Sequence, residues 1–550
     1  MATVLESTYD LLRDLELTTM FGNPGSTEEP FLRDFPADFR YVLALQEASA
    51  VAMADGYAQT TGRPAHVNLH TAPGVGNGMG NLVTAWHNKT PLIVTAGQQT
   101  RAMLLTEPRL ASPRAVELAQ PYVKWSHEPT RAQDIPAALL RAYAAAVQPP
   151  AGPVLLSLPM DDWRQPAGAP PPRRRVSTRV AAEPDRLREV AGALSASRNP
   201  ALVLGGAVDR SDGWDAAVAL AERLRAPVWC APSPERVGFP EDHPQFRGVL
   251  PFAIAPLAER LAGHDLVLVI GAPVFRYYPY VPGEYVPAGT RLVHITDDPN
   301  EAARAPVGDS ILGDARLACA ALTDLLPPAD RRGSDGRPGP AAAEPAQPAA
   351  PEPTQPAAAD PAAPGAPVRP EALFDALARL WPADGVLVAE TPSNVQALRR
   401  RLPITRPRSY FAAASGGLGF GLPAGVGVAL GERDTGRGRP VVAVVGDGSF
   451  HYSVQALWTA ARLRLPLVVL VPVNQQYGIL KAFAAHEDTP GVPGLDLPGL
   501  DLLSIARGYG CATATLESPD ALADALPAAL GAAGPTVLAA PISRDVSAIR

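Results

Sequence analysis

The sequence predicts an α/β protein built from three doubly wound parallel sheets. Its 550 residues exceed one ordinary domain and suggest about three. Apolar runs such as 440–445 and 465–471 are rich in valine and show no polar alternation, which is typical of parallel strands covered on both faces. Two proline-rich tracts interrupt this pattern. We therefore expect folded segments at 1–165, 182–327 and 369–546, joined by linkers at 166–181 and 328–368.

Strands and helices alternate in the first two segments. Residues 5–15 have the pattern of an amphipathic helix, 19–21 of a short strand and 91–95 of a buried strand. In the middle segment the apolar runs 200–206 and 264–271 each end in glycine, as the strand–turn units of a Rossmann-like layer do. The alternation therefore favours sheets with helices on both faces.

Both linkers have compositions that disfavour a packed core. The tract 328–368 is rich in alanine, proline and glutamate, so we expect an extended and mobile connection. The arginines at 173–175 follow a proline stretch in the shorter linker. Because no aromatic residues are interleaved with them, a solvated connector is favoured over a patch that binds nucleic acid.

Composition excludes several other classes of protein. The formal net charge is −7, and the basic residues are dispersed, which disfavours nucleic acid as a partner. No apolar run reaches the ~20 residues that cross a bilayer, and the N-terminus lacks a basic start, so we expect neither a membrane anchor nor a signal peptide. Cys230, Cys319 and Cys511 lie far apart without metal-binding spacing, which favours a reducing, cytoplasmic location.

The most informative motif is Gly-Asp-Gly-Ser at 446–449, directly after the predicted strand at 440–445. Asn474 follows the next strand, so we expect it to emerge beside Asp447 at one edge of a parallel sheet. A carboxylate, an amide oxygen and a nearby backbone carbonyl make half of an octahedral magnesium shell. The adjacent helix N-terminus supplies amide donors for a phosphate. A Gly-Asp-Gly triplet is also common in ordinary turns, but its strand–turn–helix–strand context favours the metal and phosphate site.

This arrangement resembles the signature of thiamine-diphosphate-dependent enzymes, in which a Gly-Asp-Gly triplet is closed by a downstream asparagine. The segments 21–26, 45–48 and 54–64 follow the order found in the two-oxoacid decarboxylases of that family. Further segments resemble its benzoylformate decarboxylase branch, namely 22–26, 69–71, 95–103 and 271–277. The resemblance covers nearly the whole chain outside the linkers.

The resemblance implies a pyrimidine-binding domain at 1–165, a central domain at 182–327 and a diphosphate-binding domain at 369–546. It implies thiamine diphosphate and magnesium as cofactors, and a homodimer or homotetramer in which two chains share each cofactor. The implied metal ligands are Asp447, Asn474 and the backbone carbonyl of Gln476. The implied cofactor-binding residues are Glu47, Pro392, Ser393, Ser415, Gly416, Leu418, Asp447, Gly448, Ser449, Asn474 and Tyr477.

Four residues carry the chemistry that the resemblance implies: Glu47, His70, Ser26 and Tyr278. A carboxyl group at Glu47, held in low dielectric, would share a proton with the pyrimidine ring of the cofactor. A lone glutamate beside apolar residues is more often solvent-facing, and this alternative stays open. His70 would donate or accept a proton; a metal pair with His66 lacks a third ligand. Ser26 would contact the substrate carboxylate, or is an ordinary turn serine.

The expected substrate pocket departs from the resemblance at several positions. Tyr278 stands where the benzoylformate decarboxylases have a second catalytic histidine, and a phenol is a poorer proton shuttle at neutral pH. Arg109 replaces a leucine, and Pro392 replaces a threonine near the diphosphate. Ala412 and Ile479 replace a phenylalanine and an alanine, so the pocket shape is altered. The expected pocket residues are Pro24, Arg109, Leu110, Ala412, Ile479, Leu480 and Phe483.

The sequence therefore predicts a carboxy-lyase that converts a benzoylformate-like two-oxo acid, its small-molecule substrate, to an aldehyde and carbon dioxide. One alternative is a carboligase or acyltransferase, similar to acetolactate synthase, that passes the same intermediate to a carbonyl acceptor. Another is a non-catalytic family member, which predicts damage at Glu47 or in the metal triplet; both are intact.

Overall fold

The computed structural model describes residues 2–172, 176–328 and 368–545. Its strands form three six-stranded sheets, and neighbouring strands pair in parallel throughout the first two sheets and along the third from Val386–Glu390 to Ala512–Thr515. The predicted α/β class is thereby confirmed. The arginines at 173–175 and nearly all of the predicted linker at 328–368 lie outside the described residues.

The first sheet has the strand order β2-β1-β3-β4-β6-β5. Its first helix begins one residue before the predicted helix, because Thr3 and Glu6 form a reciprocal capping box. The strands are β1 (Thr19–Gly22), β2 (Arg40–Leu43), β3 (Ala65–Leu69), β4 (Leu92–Gln98), β5 (Ser126–His127) and β6 (Val154–Pro159); the helices are α1 (Val4–Asp14), α2 (Glu29–Leu32), α3 (Glu47–Thr61), α4 (Thr71–Asn88) and α5 (Ile135–Val147).

The middle sheet has the order β12-β11-β10-β7-β8-β9, which is the strand order of a Rossmann fold. Its strands are β7 (Pro200–Leu204), β8 (Val228–Cys230), β9 (Phe246–Val249), β10 (Leu266–Ile270), β11 (Arg291–Thr296) and β12 (Asp309–Leu312); its helices are α6 (Pro184–Ala196), α7 (Gly206–Arg210), α8 (Trp214–Leu224), α9 (Ile254–Arg260), α10 (Pro299–Arg304) and α11 (Ala315–Leu325). In the crevice at its strand ends, Glu235 pairs with Arg210 and Arg276.

The third sheet, β14-β13-β15-β16-β18-β17, repeats the strand order of the first. Its strands are β13 (Val386–Glu390), β14 (Tyr410–Ala412), β15 (Val441–Val445), β16 (Leu467–Val473), β17 (Ala512–Thr515) and β18 (Thr536–Pro541); its helices are α12 (Pro370–Arg379), α13 (Val395–Arg401), α14 (Gly421–Asp434), α15 (Asp447–Phe450), α16 (Ala456–Arg462), α17 (Gly478–His486), α18 (Leu502–Gly508) and α19 (Leu522–Leu530). Strands β13, β15 and the first six residues of β16 are buried, and the unbroken apolar sequences of β15 and β16 predict this.

The described residues form two compact units. One holds the first and third sheets and comprises the described residues of 2–178, Arg369–Leu398 and those of 411–545; the other holds the middle sheet and comprises the described residues of 179–328, residue 368 and Arg399–Tyr410. Among the described residues, none of the helices has both the length and the apolar character that crossing a bilayer requires.

Helices α3 and α14 join the first and third sheets within their unit. A Cβ at Gly427 would lie 1.9 Å from the carbonyl oxygen of Met53, and one at Gly56 would lie 2.3 Å from that of Ala424. Only glycine permits this close approach of the two backbones. Consequently α3, which begins at Glu47, is fixed against α14, which begins directly after the loop at 415–420.

Candidate active site

The carboxyl ends of β15 and β16 bring together the predicted metal-binding side chains. These two strands pair in parallel, and the Asp447 carboxylate accepts hydrogen bonds from the N–H groups of Gln475 at 2.6 Å and Gly448 at 2.9 Å. The Asn474 side-chain oxygen accepts one from the N–H of Gln476 at 3.2 Å. Asp447 and Asn474 thus emerge side by side, as the sequence predicts.

Burial raises the pKa of Asp447, while the N–H groups of Gln475 and Gly448 oppose that rise. Each Asp447 oxygen accepts one of these two bonds and keeps a lone pair for another partner. In the described part of the chain, no three His, Cys, Asp or Glu side chains gather as a metal site. A metal at these strand ends would therefore depend on one carboxylate with amide and carbonyl oxygens.

A cleft opens beside these strand ends. Ten of the residues expected at the cofactor or in the substrate pocket line it: Pro392, Ser393, Leu418, Asp447, Gly448, Ser449, Asn474, Gln476, Tyr477 and Ile479. Four further lining residues have no individual role assigned from the sequence: Thr391, Asn394, Gly446 and Pro472. Thr391, Asn394 and Gly446 adjoin predicted residues in the same turns, and Pro472 lies on β16 two residues before Asn474.

Close packing and a hydrogen bond hold the residues that line one side of this cleft in place. A Cβ at Gly448 would lie 2.6 Å from the Tyr477 ring, so glycine allows the ring to pack over this turn. The hydroxyl oxygen of Ser393 accepts from the N–H of Ile479 at 2.8 Å and ties the turn after β13 to the start of α17. Its proton stays available to donate to a ligand.

Glu390, which has no individual role assigned from the sequence, anchors the loop that carries Leu418. Its buried carboxylate accepts the N–H of Gly419 at 2.7 Å and also that of Gly421. Burial raises the pKa of Glu390 to about 7, against the opposing effect of these N–H groups and of the Ser449 hydroxyl. The sequence does not indicate this anchoring role, because the partners of Glu390 lie 29 and 31 residues further along the chain.

Helix α4 supports the same loop from the side of the first sheet. The Asn81 side-chain amide donates to the carbonyls of Ala48 at 2.9 Å and Gly419 at 3.2 Å. Further along the helix, the Thr84 and Ser415 hydroxyls lie 2.9 Å apart. Gly416 follows directly after this contact, with a positive φ of 73°.

Glu47 is the first residue of α3, and its carboxylate is clamped between two amides. Asn23 donates to one of its oxygens and Asn77 to the other, each at 3.1 Å. The residue is only 8% exposed, so the solvent-facing alternative is wrong. Its location between the ends of β1 and β2 and the start of a helix explains this burial, which the local sequence pattern does not reveal.

His70 and Ser26 lie on neighbouring turns of the first sheet. His70 caps α4, and its Nδ1 lies 2.8 Å from a Glu28 oxygen and 3.1 Å from the Thr27 hydroxyl. Ser26 is exposed on the turn after β1. His66 is buried and bonds to Thr95 at 2.9 Å, so the two histidines have separate protein partners.

The remaining pocket residues are more dispersed. None of Pro24, Arg109, Leu110, Ala412, Leu480 and Phe483 lines the cleft. Arg109 is exposed, and Leu110 and Leu480 are 36% and 46% exposed. Tyr278, in the unit of the middle sheet, is 62% exposed.

Three comparisons with known proteins match this architecture. The N-terminal TPP binding domain of thiamine pyrophosphate enzymes matches residues 2–115, their central domain 187–322 and their C-terminal TPP binding domain 393–540. A benzoylformate decarboxylase of Pseudomonas aeruginosa is 48% identical over 544 residues, covering 98% of this chain and 99% of that protein.

Solved structures give the same match. The benzoylformate decarboxylase of Polynucleobacter necessarius superposes with a TM-score of 0.92 and 47% identity over the full length of both chains. The thiamine diphosphate-dependent 4-hydroxybenzoylformate decarboxylase of Rhodococcus jostii RHA1 gives a TM-score of 0.90 and 42% identity, covering 99% of this chain and all of the other.

Proposed function

We propose that this chain, which belongs to the thiamine-diphosphate-dependent two-oxoacid decarboxylases, converts benzoylformate or a ring-substituted analogue to an aldehyde and carbon dioxide. Its relatives of known structure are named for benzoylformate and 4-hydroxybenzoylformate. The observation that carries the proposal is the pair Asp447 and Asn474 at neighbouring strand ends, in a chain that also holds a buried glutamate, Glu47, between two amides.

The cleft in the third sheet suits a diphosphate held through a divalent cation. Asp447 supplies the negative charge, Asn474 an amide oxygen and Gln476 a backbone carbonyl, which are the hard oxygen ligands that magnesium takes. Gly448 and Ser449 line the cleft beside them. We therefore propose magnesium at this position, with the Ser393 hydroxyl donating to a phosphate oxygen and the turn at Gly448 and Ser449 contacting the diphosphate. We also propose three domains, with boundaries at 1–165, 182–327 and 369–546.

Glu47 is proposed to exchange a proton with the pyrimidine ring. Thiamine diphosphate, when bound, supplies the electron sink that accepts the bonding pair as carbon dioxide leaves. The amides of Asn23 and Asn77 fix both carboxylate oxygens, so the side chain cannot rotate away from its position. Burial removes competing water, which strengthens a charge-assisted hydrogen bond to a ring nitrogen.

His70 is proposed as the proton donor or acceptor for the reacting carbon, with Ser26 contacting the substrate carboxylate. The two residues lie on adjacent turns, and a Cβ at Gly25 would lie 2.2 Å from the His70 ring. This close packing holds the imidazole against the turn that presents Ser26. A positioned imidazole suits proton transfer near neutral pH.

We further propose a homodimer or homotetramer in the cytoplasm. The residues that line the described cleft all come from the third sheet and its loops, whereas Glu47 and His70 belong to the first. A second chain would supply the missing wall. The cytoplasmic location is supported by three buried cysteines without disulfides: Cys230, Cys319 and Cys511.

The test is a panel of two-oxo acids assayed with thiamine diphosphate and magnesium. The panel contains benzoylformate, 4-hydroxybenzoylformate, pyruvate, a branched aliphatic acid and a dicarboxylate. Stoichiometric aldehyde and carbon dioxide from the aromatic acids support the proposal. An added acceptor aldehyde that diverts most of the product into a carboligation product would instead favour the carboligase alternative.

A further inference from the structure

Glu28, which has no assigned role in the proposed reaction, is buried beside His70 with a fully occupied carboxylate. It is 1% exposed. One oxygen accepts from the Thr27 hydroxyl and the N–H of Gly97, each at 2.8 Å. The other accepts from the N–H of Gly25 at 2.9 Å and lies 2.8 Å from Nδ1 of His70. A buried acid with four partners is therefore bound on every side.

This arrangement determines which nitrogen of His70 carries a proton. The Thr27 hydroxyl and the two backbone N–H groups can only donate to the carboxylate, so Glu28 acts as an acceptor. Nδ1 must then carry hydrogen and donate to it. Nε2, at the opposite side of the ring, is left to exchange protons with a ligand, as in other sites where a carboxylate fixes an imidazole tautomer.

Two glycines keep the carboxylate and the ring in this alignment. A Cβ at Gly97 would lie 2.1 Å from a Glu28 oxygen, and one at Gly25 would lie 2.2 Å from Nδ1 of His70. A side chain at either position would displace one partner of the Glu28–His70 hydrogen bond. The backbone at Gly97 and Gly25 therefore leaves only enough space for the Glu28 carboxylate and the His70 ring in this arrangement.

We propose that Glu28 is a positioning residue, which holds His70 with its proton on Nδ1 and its Nε2 directed to the reacting atoms. This inference rests on the proposed role of His70 in proton transfer. Glu28 acts only through the ring, so its removal should slow turnover without changing cofactor affinity.

The experiment is a double-mutant cycle between Glu28→Gln and His70→Ala, read as kcat and KM for benzoylformate. Glu28→Gln alone is expected to lower kcat by roughly 10- to 10²-fold, with KM and thiamine diphosphate affinity within about twofold of wild type. In the His70→Ala background the same change is expected to lower kcat no further, because non-additivity marks residues that act as one unit. The control is Glu29→Gln, which removes the same charge from the exposed neighbouring residue and should keep wild-type kcat.

Each contrary result has a separate meaning. An equal loss from Glu28→Gln in both backgrounds, or wild-type kcat in Glu28→Gln, overturns the positioning role. Wild-type turnover in His70→Ala overturns the role of His70 and this inference with it, while wild-type protein that releases no carbon dioxide overturns the proposed function. If Glu28→Gln does not fold, Glu28→Asp is used instead, because it keeps the buried charge but withdraws it from the His70 ring. Wild-type kcat in Glu28→Asp contradicts the inference. A several-fold loss confined to kcat supports it.

Discussion

The backbone N–H of Gln475 donates to the Asp447 carboxylate over 2.6 Å, and this bond ties together the ends of two neighbouring parallel strands. It places an acidic side chain and the Asn474 amide at the same corner of the sheet. Burying the charged Asp447 carboxylate without an opposite charge beside it is costly, and burial raises its pKa. A divalent cation would supply the missing charge.

Replacing Asp447 with alanine should abolish cofactor binding even at high thiamine diphosphate concentration. The change removes the only charged protein ligand in the proposed magnesium site and leaves an amide and a carbonyl. Titration of the cofactor against the purified variant, followed by fluorescence, measures the effect. Asp524→Ala, at an exposed position on α19, is the control and should bind as wild type does. An affinity within a few-fold of wild type in Asp447→Ala would place the metal elsewhere.

Glu47→Gln should lower turnover by at least ~10²-fold, the usual contribution of a general acid–base group. The amide keeps the shape of the side chain but cannot exchange the proton. Cofactor affinity should change little, because the proposed diphosphate contacts lie on the third sheet. The exposed Glu259 offers a control in Glu259→Gln. The role of Glu47 is refuted if the variant keeps more than about a tenth of the wild-type rate.

Glu390 should make the stability of the cofactor-free protein depend on pH. Burial raises its pKa to about 7 from an ordinary 4.5, so between these values the folded state keeps a proton that the unfolded chain has lost. The contribution of Glu390 to stability is therefore fully present below about pH 4.5, falls as pH rises and is lost above about pH 7, with a total loss on the order of 3 kcal/mol. Thermal midpoints at pH 5, 6 and 7 should fall less steeply in Glu390→Gln than in wild type. The exposed control Glu517→Gln should follow the wild-type slope; equal slopes in all three proteins would disprove the assignment.

Removing the Asn81 side chain should weaken cofactor binding by about tenfold. Asn81→Ala leaves the carbonyls of Ala48 and Gly419 without this donor, a loss of ~1–3 kcal/mol for buried acceptors. The Leu418 loop is then less firmly held against α4. Asn300→Ala, an exposed position in the middle sheet's unit, serves as the comparison. Unchanged affinity in Asn81→Ala would mean that Glu390 alone holds the loop.

Tyr278→His should increase benzoylformate turnover, because it restores an imidazole where the benzoylformate decarboxylases have a second catalytic histidine. The wild-type protein is expected to turn over benzoylformate more slowly than that resemblance implies and to accept other two-oxo acids. The ratio of kcat for benzoylformate to kcat for a branched aliphatic acid measures this preference. An unchanged ratio in the variant, together with a wild-type preference for benzoylformate over every aliphatic acid, would contradict the expectation.

Features set by short stretches of sequence could be predicted, and features set by distant contacts could not. The buried strands β15 and β16 follow from unbroken apolar runs, and Asp447 and Asn474 follow from parallel strand geometry. Glu28 escaped notice because one of its partners, Gly97, lies 69 residues away. The carboxylate of Glu390 is likewise held by glycines that only the folded loop brings near it.

Glu47 shows that a local sequence pattern can predict the wrong exposure for a side chain. The local pattern favoured a solvent-facing side chain, and only the resemblance to a family indicated a buried one. The structure shows the physical reason, since Asn23 after β1 and Asn77 on α4 satisfy both carboxylate oxygens. Hydrophobic periodicity carries no information about such long-range polar partners.

The most direct test of the account is the cofactor dependence of carbon dioxide release from benzoylformate. Protein stripped of cofactor is assayed for carbon dioxide and benzaldehyde before and after thiamine diphosphate and magnesium are restored, with Asp447→Ala alongside. The account predicts no release before restoration, equimolar release of both products afterwards and none from the variant. Release without thiamine diphosphate, or no release from any two-oxo acid in the panel after restoration, would contradict it.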